Sequence, residues 1–422
     1  MLVGNNMAKQ LSEICINVED TNDNFVGVKY DKKDIQIIFP LGYRIPEDNK
    51  EKIEAIKLLF KTIKLSHDKK IDYEDSGDFK EGANGLPIDS FQWVINDYLD
   101  NGIYIDNEKV YSQETKGKIN WKRTFKTKFL VNKKSLVYLN PIIEKNNNIK
   151  NIISEIHAFC VDKSTETLWF IYNKISKVGN VKKPNLTNYI NIINDEMLKS
   201  FDDRKKLLLY HMKRIIQSEI ESNGNNNIKN YGIRHYEYVW EYMVNDLFGT
   251  ENKKDYYPDA TYHIKGTDDF DASKLRPDTI FRDEENNFYI LDSKYYKAGT
   301  VAKSRSNLKD ILPNTDSIQK QITYGDFVLK NYRNKEKIKD IYNAFIIPYN
   351  CKDNNLNING KIENIGYATC NWKNITSISE KYLKIQVILI DTKYLIESYF
   401  NKIKDRDLLI EKIKDFDTSQ DN

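Results

Sequence analysis

The sequence has no long hydrophobic run and few cysteines. No apolar stretch among the 422 residues approaches the roughly 20 residues of a membrane-spanning helix, and the amino-terminal residues lack the apolar core of a signal peptide. The four cysteines are scattered and match no metal-binding spacing, which favours a reducing compartment. These absences predict a soluble cytoplasmic protein that does not bind a membrane.

A strong net charge is also missing, because 65 lysines and arginines nearly balance 62 acidic residues. A surface that binds nucleic acid must therefore be local. Residues 116–134 are the candidate, since they hold eight basic residues, no acid, and three interleaved aromatic residues. Basic side chains could neutralise phosphates while the aromatic rings stack on bases. The alternative is a strand pair with a solvated lysine face and its aromatic side chains in the core. The residues predicted to contact DNA are Lys116, Lys118, Trp121, Lys122, Arg123 and Lys126.

Acidic residues and a lysine follow two predicted strands within residues 275–297, LRPDTIFRDEENNFYILDSKYYK. Apolar segments on both sides of the polar turn at 283–287 predict a β-hairpin. Folding about that turn brings Asp278 and Asp292 to the same open end. Because side chains alternate along a strand, Asp292 and Lys294 point to the same face. Two carboxylates and one ammonium group are therefore expected to meet at the mouth of the hairpin.

This combination suits the metal-assisted hydrolysis of a phosphodiester. Carboxylate oxygens are hard ligands for Mg²⁺, which polarises a phosphoryl oxygen and acidifies a bound water, while Lys294 orients that water or offsets charge on phosphorus. A second D-x-K sequence at 391–393 also follows an apolar strand. It lacks a Pro-Asp partner strand at hairpin distance, and Thr392 is predicted to be a helix N-cap. The complete pattern, with thirteen residues between the two aspartates, is the more specific signal.

The order R-P-D, strand, turn, strand, D-S-K resembles the PD-(D/E)xK nuclease superfamily, and within it the McrC-like and LlaJI-type restriction endonuclease subunits. Residues 117–124, GKINWKRT, also resemble a segment of LlaJI-type proteins. The resemblance implies that Asp278 and Asp292 bind Mg²⁺, with Mn²⁺ as a substitute, and that Lys294 is the catalytic lysine.

The resemblance extends to the helices on either side of the hairpin. It implies a third metal ligand on the preceding helix, where Glu241 follows Trp240, and Glu237 is the competing candidate. Gln321, on the helix after the lysine strand, is expected to hydrogen-bond a metal-bound water or the DNA backbone, in preference to Gln319. The alternatives are an exposed glutamate and a polar helix face.

Fold and domains follow from the element pattern. Residues 186–422 are predicted to form an α/β PD-(D/E)xK nuclease domain with a central mixed sheet flanked by helices. Residues 1–180 are predicted to form an N-terminal α+β module. The boundary is placed in the Gly-, Pro- and Lys-containing segment 177–185.

The implied function is Mg²⁺-dependent hydrolysis of DNA in restriction or antiviral defence, leaving 5′-phosphate and 3′-hydroxyl ends. The McrC-like resemblance implies double-stranded DNA and a McrB-like AAA+ GTPase as partners. The sequence has no G-x-x-x-x-G-K-[ST] loop, so any nucleotide-driven translocation is expected to come from another subunit. The N-terminal module then docks on the motor. In the alternative, a stand-alone type II enzyme, it reads a DNA sequence.

Two further alternatives remain from the sequence. One is a non-enzymatic DNA-binding assembly protein with a vestigial nuclease fold, against which the intact set of two aspartates and a lysine argues. The other is a nuclease of the same fold that acts on RNA or single strands. Cleavage of both strands of a duplex favours a homodimer on DNA.

Overall fold

The computed structural model describes residues 11–21, 24–31, 34–71, 85–113, 116–132, 135–149, 152–172, 175–179, 184–224, 229–250, 252–297, 311–373 and 380–418. These residues form a mixed α/β structure in two compact units, one within Met1–Glu81 and Asn230–Asn422, the other within Gly82–Lys229. None of the helices in the described ranges is both long and apolar enough to cross a membrane.

The strands are numbered in chain order. They are β1 (Cys15–Asn17), β2 (Val26–Tyr30), β3 (Ile35–Phe39), β4 (Asp106–Gln113), β5 (Lys118–Ile119), β6 (Leu130–Asn132), β7 (Ser135–Val137), β8 (Ile142–Ile149), β9 (Lys229–Ile233), β10 (Thr261–Tyr262), β11 (Phe270–Asp271), β12 (Thr279–Arg282), β13 (Phe288–Ser293), β14 (Ile341–Tyr349), β15 (Ile362–Ala368) and β16 (Ile385–Asp391).

The α-helices are numbered in the same way. They are α1 (Asn49–Lys69), α2 (Ile88–Asn101), α3 (Trp121–Thr124), α4 (Ile152–Thr167), α5 (Leu186–Lys199), α6 (Asp203–Gly224), α7 (Tyr236–Phe248), α8 (Thr315–Asn331), α9 (Arg333–Glu336), α10 (Thr392–Asn401) and α11 (Arg406–Thr418).

A five-stranded mixed sheet, in the order β12-β13-β14-β16-β15, forms the centre of the first unit. The predicted hairpin is confirmed, since β12 pairs antiparallel with β13, and β14 and β16 then add in parallel. The antiparallel edge strand β15 was not predicted. Phe288 and Ile290 of β13 pack with Ile322 and Val328 of α8 in one buried cluster. Helix α8 therefore covers the face of the sheet to which alternate residues of β13 point.

The first unit also contains a four-stranded sheet in the order β1-β3-β2-β9. Gly27 and Gly232 allow β2 and β9 to approach closely, because a Cβ atom at Gly232 would lie 2.2 Å from the carbonyl oxygen of Val26. The amino-terminal strands are thus grouped with the central sheet, which differs from the predicted boundary at 177–185. Pairing between strands this far apart in sequence leaves no local signal in the chain.

The second unit is built from helices α2, α4 and α6, which contact one another, and from the sheet β4-β8-β5. Phe91, Ile156 and Met212 are among its buried residues. Strand β8 extends to Ile149 and α4 begins at Ile152. Helix α5 ends at Lys199 and α6 begins at Asp203.

Candidate active site

The register of the hairpin places the predicted acidic residues at one end of the central sheet. Thr279 pairs with Leu291, so Asp278 and Asp292 occupy the next position on each strand. The Oδ2 atom of Asp278 accepts a hydrogen bond of 2.7 Å from the backbone N–H of Ser293. The Oδ2 atom of Asp292 lies 2.7 Å from the Nζ atom of Lys294. The structure therefore brings these three predicted residues together.

Helix α7 brings a third carboxylate within electrostatic range of the pair. The buried Trp240 of this helix donates a hydrogen bond of 3.4 Å to the carbonyl oxygen of Ile346 in β14, which fixes the helix against the sheet. Burial, followed by repulsion from Asp292, raises the pKa of Glu241 to about 7. The competing Glu237 instead lies 2.9 Å from the Nδ1 atom of His235.

Burial is the main electrostatic feature of the two hairpin aspartates. It raises the pKa of Asp278 well above the usual range, and repulsion from Asp292 and Glu241 adds to the effect. Burial also raises the pKa of Asp292, although the neighbouring Lys294 opposes that shift. Removing a carboxylate from water disfavours its charged form, and nearby like charges disfavour it further. The site therefore concentrates negative charge where a proton or a cation is needed to offset it.

Two lysines lie beside these acids, of which the sequence indicated only Lys294. Burial alone would lower the pKa of Lys294, but attraction and hydrogen bonding to Asp292 outweigh it and raise the pKa. The Nζ atom of Lys253 donates a hydrogen bond of 2.8 Å to the carbonyl oxygen of Asp278 and one of 3.1 Å to Oδ1 of Asn245. Burial lowers the pKa of Lys253, against the attraction of Asp278 and Glu241. Because Lys253 lies outside the motif, only the folded structure reveals it.

Helix α8 contributes its first turns to the same region. Lys320 lowers the pKa of Asp292, and Tyr324 is affected by the charges of Asp292 and Asp278, so both lie within their electrostatic range. Gln321 is fully buried, and its Nε2 atom donates a hydrogen bond of 3.3 Å to the carbonyl oxygen of Ala344. Its Oε1 atom has no hydrogen-bond partner among the described residues. The predicted contact of Gln321 with a metal-bound water or DNA stays a prediction.

The second D-x-K sequence has a structural role. Asp391 is the N-cap of α10, accepting a hydrogen bond of 2.8 Å from the N–H of Tyr394, and it also accepts 3.0 Å from the N–H of Cys351. The prediction of Thr392 as the N-cap is wrong by one residue, since its hydroxyl donates to the carbonyl oxygen of Leu41. An aspartate accepts hydrogen bonds from helix N–H groups as well as a threonine does, so the cap falls one residue earlier than predicted.

Three carboxylates are the oxygen donor set that a hard divalent cation prefers, and their mutual repulsion favours bound positive charge. Asp278, Asp292 and Glu241 therefore fit Mg²⁺ in donor type and charge. Throughout the described ranges, no three His, Cys, Asp or Glu side chains are already spaced to hold a metal ion. Asp292 instead contacts Lys294, and Asp278 contacts the backbone of Ser293.

The six residues predicted to contact DNA lie in the second unit. Trp121, Lys122 and Arg123 are in the short helix α3, and all six are exposed. Lys133 and Lys134 fall outside the described residues. The alternative that places the aromatic side chains of this stretch in the core is wrong, since Trp121 is 53% and Phe125 62% exposed.

The model of one protein family, described as LlaJI restriction endonuclease, matches residues 25–386. The chain belongs to the LlaJI restriction endonuclease family. It is therefore a restriction-type nuclease, and the resemblance recognised in the sequence is confirmed at the level of the family.

Two other comparisons add little to this assignment. No curated protein matches the chain. Among solved structures, one similar chain comes from a refined half-complex of a tetradecameric assembly of Thermococcus gammatolerans McrB AAA+ hexamers with bound McrC. The two sequences are 13% identical, and the match covers 90% of this chain and 83% of that chain at a TM-score of 0.32. A similarity of that score carries no argument here.

Tyr295, the residue after the predicted catalytic lysine, links β13 to the amino-terminal part of this LlaJI-family chain. Its hydroxyl accepts a hydrogen bond of 2.6 Å from the N–H of Leu41, and its ring lies 5.5 Å from that of Tyr236 in α7. The carbonyl oxygen of Leu41 in turn accepts a hydrogen bond of 2.7 Å from the hydroxyl of Thr392. Tyr295 thus fixes the backbone beside Lys294. The motif contains a tyrosine here, but its distant partner cannot be read from the sequence.

Replacing Tyr295 by phenylalanine should destabilise the first unit. The ring remains, but the buried N–H of Leu41 loses its acceptor, which costs about 1–3 kcal/mol of unfolding free energy. Urea denaturation of Tyr295→Phe measures this loss. The matched control is Tyr262→Phe, which removes an exposed hydroxyl and should change stability by less than about 0.5 kcal/mol. Equal stabilities of the two variants would contradict this role.

Glu241 should make the stability of the metal-free protein depend on pH. Its pKa of about 7 in the folded chain exceeds the usual 4.5 of a glutamate, so folding favours the protonated form. That contribution is fully present below about pH 4.5 and is lost as the pH rises through about 7.

The Glu241→Gln variant is neutral at every pH, so its stability does not fall as the pH rises through about 7. At pH 8 it should be more stable than the natural protein by on the order of 2 kcal/mol, with the difference vanishing near pH 5. Urea unfolding across this range tests the shift, with Glu237→Gln on the same helix as the control. If the difference in unfolding free energy between Glu241→Gln and the natural protein does not change with pH, the raised pKa of Glu241 is ruled out.

Proposed function

We propose that the chain is a Mg²⁺-dependent DNA endonuclease with a PD-(D/E)xK core, acting in restriction or defence. The convergence of Asp278, Asp292 and Lys294 at the open end of one hairpin carries this proposal. Family membership supports the nuclease activity, and the mixed sheet between helices suits the proposed core.

In this proposal Asp278 and Asp292 hold Mg²⁺, with Glu241 as the third ligand, and Mn²⁺ can replace it. The ion, when bound, polarises the phosphoryl oxygen and lowers the pKa of a water. Lys294 positions the attacking water or offsets charge on the phosphate. The water oxygen bonds to phosphorus as the bond from phosphorus to O3′ breaks, leaving a 5′-phosphate and a 3′-hydroxyl after proton transfer to O3′. Tyr295 keeps the strand that carries Lys294 in register.

The substrate that we propose is double-stranded DNA, cleaved by two active sites brought together in a homodimer or on the DNA. A McrB-like AAA+ GTPase is the proposed partner, and a self-sufficient type II enzyme is the alternative. Cleavage that requires GTP and a motor subunit supports the first, and cleavage at fixed positions by the chain alone supports the second. Cleavage of RNA in preference to DNA would identify a nuclease of different substrate class.

The two D-x-K sequences of the chain provide a matched test of this site. Lys294→Ala should reduce cleavage of plasmid DNA by about a hundredfold or more, because the positively charged group at the reacting phosphate is lost. Lys393→Ala removes the corresponding lysine of the N-cap sequence and should cleave at the normal rate, since Lys393 only lies 3.8 Å from Glu397 on the same helix.

Both proteins are compared under the same conditions with Mg²⁺ and the required partner. Circular dichroism and urea unfolding establish that each variant is folded. If folded Lys294→Ala protein cleaves at the natural rate, the site is not the one proposed. If the natural protein binds DNA without cleaving it under every condition, the assembly-protein alternative takes precedence.

A further inference from the structure

The second unit exposes an unusual combination of positive charge and apolar surface. We call residues 116–132 and 135–139 the basic aromatic arm; it comprises β5, α3, β6 and β7 with the described residues that join or follow them. The sequence from 116 to 139 contains no acidic residue. Five lysines within the described part of the arm are exposed to solvent: Lys116, Lys118, Lys122, Lys126 and Lys128.

The aromatic rings of the arm form a continuous series. The ring centroids of Trp121 and Phe125 are 5.6 Å apart, and Tyr138 lies 5.8 Å from Phe125 and 5.8 Å from Phe129. Trp121, Phe125 and Phe129 are 53%, 62% and 47% exposed, so the series faces solvent. Rings that only stabilised a core would be buried.

The hairpin that follows also exposes apolar side chains. Leu130 and Val131 of β6 and Leu136 and Val137 of β7 are all exposed large hydrophobic residues. Several large apolar side chains exposed in one segment of a folded protein indicate a binding site. The surrounding lysines indicate that its ligand is negatively charged.

We propose that the basic aromatic arm binds unpaired nucleotides of DNA, with phosphates on its lysines and bases stacked on its rings. Intact duplex DNA presents phosphates and the polar edges of bases, but its base faces are already stacked. Unpaired bases offer both the charge and the open aromatic faces that this surface complements. Arg123 is already stacked over the ring of Tyr111 at 3.8 Å, so the exposed lysines are the main phosphate ligands.

The test uses the full chain in buffer with EDTA, so that binding is measured without cleavage. Fluorescence anisotropy compares a labelled 15-nucleotide oligothymidylate with a 15-base-pair duplex. The natural protein should bind the single strand more tightly. Trp121→Ala and Phe125→Ala should each weaken single-strand binding by roughly tenfold, and duplex binding by less than about threefold.

Trp372→Ala is the matched control, because Trp372 is 51% exposed and lies in the other unit. It should leave both affinities unchanged. Lys122→Ala should reduce the dependence of binding on salt concentration, as expected when a phosphate contact is removed. Equal loss from the control and arm variants, or tighter binding of the duplex than of the single strand, would overturn the proposal.

A second copy of the chain is the rival occupant of this surface. Sedimentation of the natural protein and Phe125→Ala decides between them, since loss of self-association without loss of single-strand binding would place a protein on the arm and overturn the inference. The proposal takes DNA as the ligand from the proposed function but does not depend on catalysis. Binding is measured in EDTA and cleavage with Mg²⁺, so loss of one without the other distinguishes failure of the arm from failure of the cleavage site.

Discussion

The pairing of β12 with β13 is the constraint on which the rest of the site depends. Its register places Asp278 beside the backbone of Ser293 and next to Asp292, and partial burial raises the pKa of both carboxylates. Helix α7 then adds Glu241 to the same region. A shift of one residue would turn Asp292 and Lys294 to the opposite face of the sheet. The negative charge of the candidate site follows directly from this register.

Several contacts from distant parts of the chain keep the register fixed. Tyr295 accepts a hydrogen bond from Leu41, and Leu41 accepts one from Thr392, so the end of β13 is tied to the segment after β3 and to the start of α10. These bonds join the segment after β3 to the carboxyl-terminal part of the chain within the same compact unit. The amino-terminal strands therefore belong to the scaffold of the candidate active site.

Local patterns predicted the parts of this structure that are determined locally. The hairpin of β12 and β13 follows from its β-branched and aromatic strand residues and the polar turn between them. Lys253, the partner of Tyr295 and the grouping of the amino-terminal strands depend on contacts between distant residues. The sequence left two interpretations of the rings of the basic aromatic arm, stacking on a ligand or burial in the core, because an apolar residue at a strand or helix position is usually buried. Membership of the LlaJI restriction endonuclease family indicates the nuclease activity, and Mg²⁺ and the GTPase partner are proposals.

Direct measurement of metal binding tests the central claim, that the buried carboxylates around Asp278 form a divalent cation site. Titration of the DNA-free protein with Mn²⁺, followed by electron paramagnetic resonance, compares the natural protein with Asp278→Asn and with the exposed control Asp259→Asn. The account predicts that the natural and control proteins bind Mn²⁺ equally and that Asp278→Asn binds it at least about tenfold more weakly. Equal Mn²⁺ affinity of the folded Asp278→Asn protein would contradict the account.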